Sequence, residues 1–448
     1  MTQTIEPGHR LPPGTGLPVP GPRGDWLAGN LAAYEKDRLG WLLEARRDFG
    51  PVVRFDRTTT VVNDPDAVRA VLMNRSGAFA IRHNLLQERI RDDELGAWTD
   101  VRRLLNPHLR LRAASPSAPM VARLTAEALA ATGGRTVPAT SLFEQITATV
   151  VATQFFGPEH GDLPARAGAL LDALGSVIGN PFAPPAWLPT RGRRRITARM
   201  DRVRALVSTL LDERIARPGE HDDIVAGIVR DRPPGWLDRP VARERVTRAL
   251  VGALLAGHRV PAAAAGWLHH ALTENPARVA ALRPEAAVLS ALIDQGLPVT
   301  PGAFPATSRF VAETLRLFPP TWLISRTLLR PEELAGHALP AGHTVLVSPY
   351  VVHRDPTQYD DPETFRPERW HRPGGHRAVA AGTTGPLYLP YGIGARACPG
   401  RDLAALTLVV LLLTAVDRFE IGRGPGAVEP DPRTTLLPRG LDLRFVRR

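Results

Sequence analysis

The 448 residues include a single cysteine, Cys398, and a single lysine, Lys36. One thiol excludes an internal disulfide framework, and a free thiol fits a reducing, cytoplasmic setting. With lysine almost absent, the basic excess is nearly all arginine: 56 Lys plus Arg face 45 acids, for a net charge of +11. No aromatic residues interleave with the densest basic cluster, Arg191, Arg193, Arg194 and Arg195, so no nucleic-acid partner is expected. A basic surface does suit an acidic protein partner. No leader pattern of charged, apolar and small residues opens the sequence. The longest apolar run, residues 403–416, is too short to cross a bilayer. A cytoplasmic protein with no membrane span is expected.

Hydrophobic content is 44%, enough for a sizeable core. Residues 1–24 are rich in Pro and Gly and read as an extended arm. Residues 30–49 have helical periodicity and stop at Gly50. Val52 to Phe55 and Thr59 to Val62 are β-rich runs that suggest a hairpin, and Asp64-Pro65 caps a short helix ending near Met73. A helix from Trp98 should stop before Pro107. A long helix is expected over 241–275, passing through Pro261 with a distortion at Gly257, since proline cannot bond that carbonyl. Another helix spans 307–317. Thr344 to Ser348 and the alternating run 441–446 read as strands. With no internal repeat and no composition break, residues 1–448 read as one mainly helical domain with a smaller β-rich part.

The lone cysteine sits in Tyr391-Gly392-Ile393-Gly394-Ala395-Arg396-Ala397-Cys398-Pro399-Gly400. Glycines let the backbone pass close to a ligand, and backbone N–H groups near a helix start favour a thiolate. This segment resembles the haem-ligand loop of the cytochrome P-450 superfamily, F-G-x-G-x-R-x-C-x-G. Every fixed position matches except the first, where Tyr391 replaces phenylalanine. The resemblance implies a cytochrome P-450 fold, with a long central helix over the haem and the cysteine loop beneath it. It implies non-covalent haem b with Cys398 as the iron ligand; the lack of any C-x-x-C-H agrees. Gly400 and Tyr391 belong to the same cradle.

Two further motifs stand in the family's order. Glu313 and Arg316 share a helical face and match E-x-x-R, with Arg369 completing what the resemblance implies is a structural triad. Trp98 and Arg102, one helical turn apart, together with Arg326 and Arg396, match family positions that contact the haem propionates; arginine's forked donors suit carboxylates. Substrate contacts by resemblance fall on Arg82, His83, Leu85, Leu255, Trp322, Leu323, Ile324 and Leu436. Most are apolar, which suits a hydrophobic small molecule.

The long helix departs from the family's A-G-x-(D/E)-(T/S). Ala256 and Gly257 are kept, which would leave room for oxygen, but Arg259 replaces the acid and Val260 the alcohol. Arginine is effectively always protonated and valine neither donates nor accepts, so the usual relay for delivering protons is missing. One expectation is a monooxygenase fed single electrons by an acidic ferredoxin-type protein, with protons from the substrate or ordered water. Others are a peroxide-dependent enzyme in which Arg259 anchors a substrate carboxylate, or radical coupling or rearrangement without oxygen insertion. Outside enzymes, a haem-binding sensor remains open.

Overall fold

A computed structural model gives the fold and describes residues 18–25, 28–81, 94–178, 190–371 and 386–448, with the side chains of 94–101 and 176–178 excepted. Chain contacts divide it into two compact units. The first comprises residues 1–90, 322–363 and 377–397; the second comprises 91–321, 364–376 and 398–448.

The first unit is built on a five-stranded sheet. Its expected hairpin is present, with Val52 opposite Val62 and Arg54 opposite Thr60. The second hairpin strand then pairs in parallel with Thr344–Val347, which pairs antiparallel with Ile324–Leu328. β-branched residues supply the core: Val62, Val345 and Val347 from the sheet, and Val68 and Val71 from the helix Pro65–Met73. The Asp64 carboxylate accepts from the Asp66 and Ala67 N–H groups and starts the helix Pro65–Met73. Residues 30–49 form two helices rather than one: the chain breaks at Asp37, whose side chain caps the second by accepting from Gly40 N–H.

The second unit is mostly helical, and five of its helices position the site: α1 (Ala139–Phe156), α2 (Leu163–Ile178), α3 (Pro240–Thr273), α4 (Pro305–Leu317) and α5 (Arg401–Arg418). Helix α5 carries the apolar run seen in the sequence and is buried on nearly all sides from Leu406 to Val416. Helix α3 runs unbroken through Pro261. By length and composition α3 could cross a bilayer, but more than half of its apolar stretch is buried in the fold, as in a core helix. Trp267 on α3 stacks on Phe318 with ring centroids 4.0 Å apart and donates its indole N–H to the Leu436 carbonyl at 3.0 Å. The C-terminal strand Asp442–Arg447 pairs with Phe419–Arg423 and Thr136–Pro138. One helix boundary differs from expectation. Glu94–Leu109 contains Pro107 instead of stopping before it. So near the C-terminus the proline removes one helical N–H bond and the helix ends two residues later.

Candidate haem and substrate site

The cysteine loop is shaped by its glycines. Gly392 and Gly394 adopt φ +63° and +74°, the left-handed region that side-chain-bearing residues avoid. At Gly394 space is the stricter limit: a Cβ would lie 2.5 Å from the Leu72 carbonyl oxygen and 2.8 Å from the Met73 Cα. The loop is thus pressed against the last turn of Pro65–Met73. Gly394–Arg396 forms one 3-10 turn, closed by Ala397 N–H to the Gly394 carbonyl at 3.1 Å. The chain then reaches Cys398, and a Cβ on Gly400 would stand 4.0 Å from its sulfur. Tyr391, Arg396 and Gly400 are half-buried.

Cys398 keeps open surface, although enough protein surrounds it that desolvation pushes its thiol up. The Gly400 N–H, Arg401 and Arg102 pull it back down. A raised pKa keeps the unliganded thiol protonated and inert, whereas coordination to a metal deprotonates a thiol outright. Among the described residues no group of three His, Cys, Asp or Glu side chains is placed to hold a metal ion. Cys398 offers one sulfur, which is what a haem iron takes from a protein thiolate.

The expected propionate donors fit in part. In the first unit Arg326 is pushed down to about 10, by burial first and then by the charge of Arg396. Two guanidinium groups close enough to repel, one of them desolvated, are stabilised by an anion; a dicarboxylate such as haem supplies it. In the second unit Arg102 is near enough to act on the Cys398 thiol. The Trp98 side chain lies outside the described residues.

The triad is brought together, and it is larger than expected. Glu313 and Arg316 on α4 are fully buried. The Glu313 carboxylate accepts from Arg316 Nε and Nη2, both at 2.9 Å, and from Arg369 Nε at 2.9 Å. It also accepts from the Trp370 indole at 3.0 Å and the Arg366 backbone N–H at 2.8 Å. One carboxylate thus ties α4 to the segment 366–370. Trp370 was not among the expected members, although it directly follows Arg369.

On α3 a row of residues stays open: Gly252, Ala256 and Val260, four apart, are exposed, and the more N-terminal turns also expose Val241, Glu244, Arg245 and Arg248. A Cβ on Gly252 would meet nothing within 4 Å. Gly257 is not part of this face. A Cβ there would lie 3.1 Å from a Val151 methyl of α1, so Gly257 allows α1 and α3 to pack closely, and Ala256 alone of the expected pair leaves room on the open side. Leu255 is half-buried beside it.

Arg259 is already engaged. It donates to the Leu171 carbonyl at 3.2 Å, pairs with Asp172 on α2, and has Nε 3.3 Å from Glu144 on α1. One cation between two carboxylates has no charge left for a substrate acid, which removes the support for Arg259 as a carboxylate anchor. Glu144 and Asp172 were not anticipated. Leu436 has no exposed surface and Trp322 only 4%, so these two side chains are buried within their units. Leu323 and Ile324 are half-buried. Arg82, His83 and Leu85 lie outside the described residues.

A family model for cytochrome P450 matches residues 19–441. The chain is 30% identical to cyclooctatin synthase of Streptomyces melanosporofaciens, over 76% of this chain and 74% of that protein. It is 27% identical to cyclooctat-9-en-7-ol 5-monooxygenase of the same organism, over 81% and 80%. It is 28% identical to pentalenene oxygenase of Streptomyces avermitilis, over 68% of each. The fold matches the crystal structure of the cytochrome P450DA heme domain with a TM-score of 0.79 at 19% identity, over 97% of this chain and 98% of that one.

Proposed function

The chain belongs to the cytochrome P450 family and is a haem-thiolate monooxygenase; from that premise we propose that it oxidises a neutral cyclic terpenoid. Cys398 would ligate the iron of haem b. Arg102, Arg326 and Arg396 would hold the propionates, joined by Trp98. Bound haem supplies the oxygen-activating chemistry that places oxygen on an unactivated carbon.

The observation that carries the substrate reading is the open row Gly252, Ala256 and Val260 beside an Arg259 whose charge is spent on Asp172 and Glu144. The row itself offers apolar contact, and the cation beside it is engaged, which favours a neutral hydrophobic molecule over an acid. The names of the relatives agree in kind: pentalenene is an alkene and cyclooctat-9-en-7-ol an unsaturated alcohol. With Val260 unable to donate and Arg259 engaged, the protons would come from a hydroxyl of the substrate or from water in the groove. Electrons would arrive singly from an acidic ferredoxin-type protein, which the arginine-rich surface favours, and the enzyme would work in the cytoplasm.

Optical titration of the ferric haem protein tests the substrate class. Cyclooctat-9-en-7-ol and related neutral carbocycles are expected to drive the low-spin to high-spin change, while matched carboxylic acids bind at least tenfold more weakly. A response to acids alone would reject this reading and restore an anionic substrate.

A further inference from the structure

We propose that Arg259 is a positioning residue that clamps α2 along one edge of the open face of α3, so that its ion pairs, and not its proton, serve the reaction. This inference rests on the reading of Gly252, Ala256 and Val260 as the substrate-facing row.

The geometry follows from helix periodicity. At about 100° per residue, Gly252 and Val260 lie roughly 40° to either side of Ala256, Arg259 lies about 60° round on the Gly252 side, and His258 about 100° further still. Both outer positions meet α2. A Cβ on Gly168 would touch the His258 ring at 3.3 Å, and one on Gly175 would stand 3.7 Å from Arg259 Nη1. Small residues at these two points let α2 approach α3 closely along the side that borders the open row. Arg259 fastens the crossing with the Leu171 carbonyl and the Asp172 carboxylate. Glu144 holds the guanidinium from the α1 side. The neighbouring His258 carbonyl lies 2.8 Å from the Thr147 hydroxyl of α1, so α1 grips the same turn of α3.

Several features mark the cluster as a device for position. The Arg259 side chain is only 20% exposed and Glu144 25%, so that pair is less screened than one on an open surface, whereas Asp172 is 70% exposed and meets Arg259 at the solvent edge. Burial raises the Glu144 carboxyl, with Arg259 opposing the rise and Asp172 adding to it, so the cation favours the charged form of this carboxylate. An arginine at a position where the family carries an acid has therefore recruited two acids from neighbouring helices. Its consequence for substrate is the placement of the α2 wall.

The test uses the full-length haem protein with Arg259→Met, which keeps the aliphatic stem, and Arg259→Lys, which keeps the charge. Hydrogen exchange across α2 is expected to rise roughly tenfold in Arg259→Met, with α1 unchanged and most of the protection regained in Arg259→Lys. The Kd for cyclooctat-9-en-7-ol should weaken in Arg259→Met by more than turnover falls. Unchanged exchange in α2 would overturn the clamp. Unchanged exchange together with lower turnover and an altered solvent isotope effect would overturn it in favour of proton handling by Arg259. If wild-type protein fails to bind the alcohol, the substrate reading fails, while the exchange data still decide the clamp.

Discussion

Glu313→Gln is expected to cost about 3–5 kcal/mol of stability, the usual penalty for leaving a buried charge without its partner. The carboxylate has no exposed surface and receives five donors from Arg316, Arg369, Trp370 and the Arg366 backbone. Glutamine matches its shape but turns one oxygen into an N–H that faces donors, and it removes the buried carboxylate bonded to the fully buried Arg316. The penalty is larger than for a surface pair, where exposed ions contribute about 1 kcal/mol or less. Denaturant titration of the haem-loaded protein measures it. A loss below about 1 kcal/mol would mean that Glu313 behaves like an exposed ion pair.

Gly394→Ala should damage the haem loop specifically. A left-handed φ costs an L residue roughly 1–2 kcal/mol, and the added methyl collides with the Leu72 carbonyl and the Met73 Cα. Those are backbone atoms and cannot turn aside, so the loop must shift at an overpacking cost of about 1–3 kcal/mol. Gly392→Ala is the matched control. Its φ is similar, at +63°, but its Cβ would meet nothing closer than the Ala397 Cα at 3.9 Å. The haem-to-protein ratio after purification is expected to fall sharply in Gly394→Ala and only slightly in Gly392→Ala. Equal losses would show that backbone strain, and not the contact with Pro65–Met73, sets the loop.

Much of this was legible in the residues because the signals were local. Asp64-Pro65 predicted a capped helix, the two β-rich runs predicted a hairpin, and the spacing of Glu313 and Arg316 predicted a shared face. The motif around Cys398 carried the family. What the sequence left open were questions of tertiary contact. Glycine at 257 fits room for oxygen and close packing on Val151 equally well until α1 is in place. Leu436 and Trp322 are apolar, and apolar residues line cavities and fill cores alike. Arg259 was read for its own chemistry because Asp172 stands 87 residues away, too far for any sequence spacing to join them. Trp370 was within reach: an indole beside Arg369 in a buried ion-pair cluster needs an acceptor, and Glu313 was already assigned there.

The central claim is that Cys398 binds iron through sulfur. X-ray absorption at the iron edge of the haem-loaded protein tests it most directly, comparing wild type with Cys398→Ser and using circular dichroism to establish that both are folded. The account predicts a sulfur neighbour on the iron in the wild type and none in a folded Cys398→Ser variant. Sulfur ligation that survives the substitution, or wild-type iron bound only by nitrogen and oxygen, would contradict it.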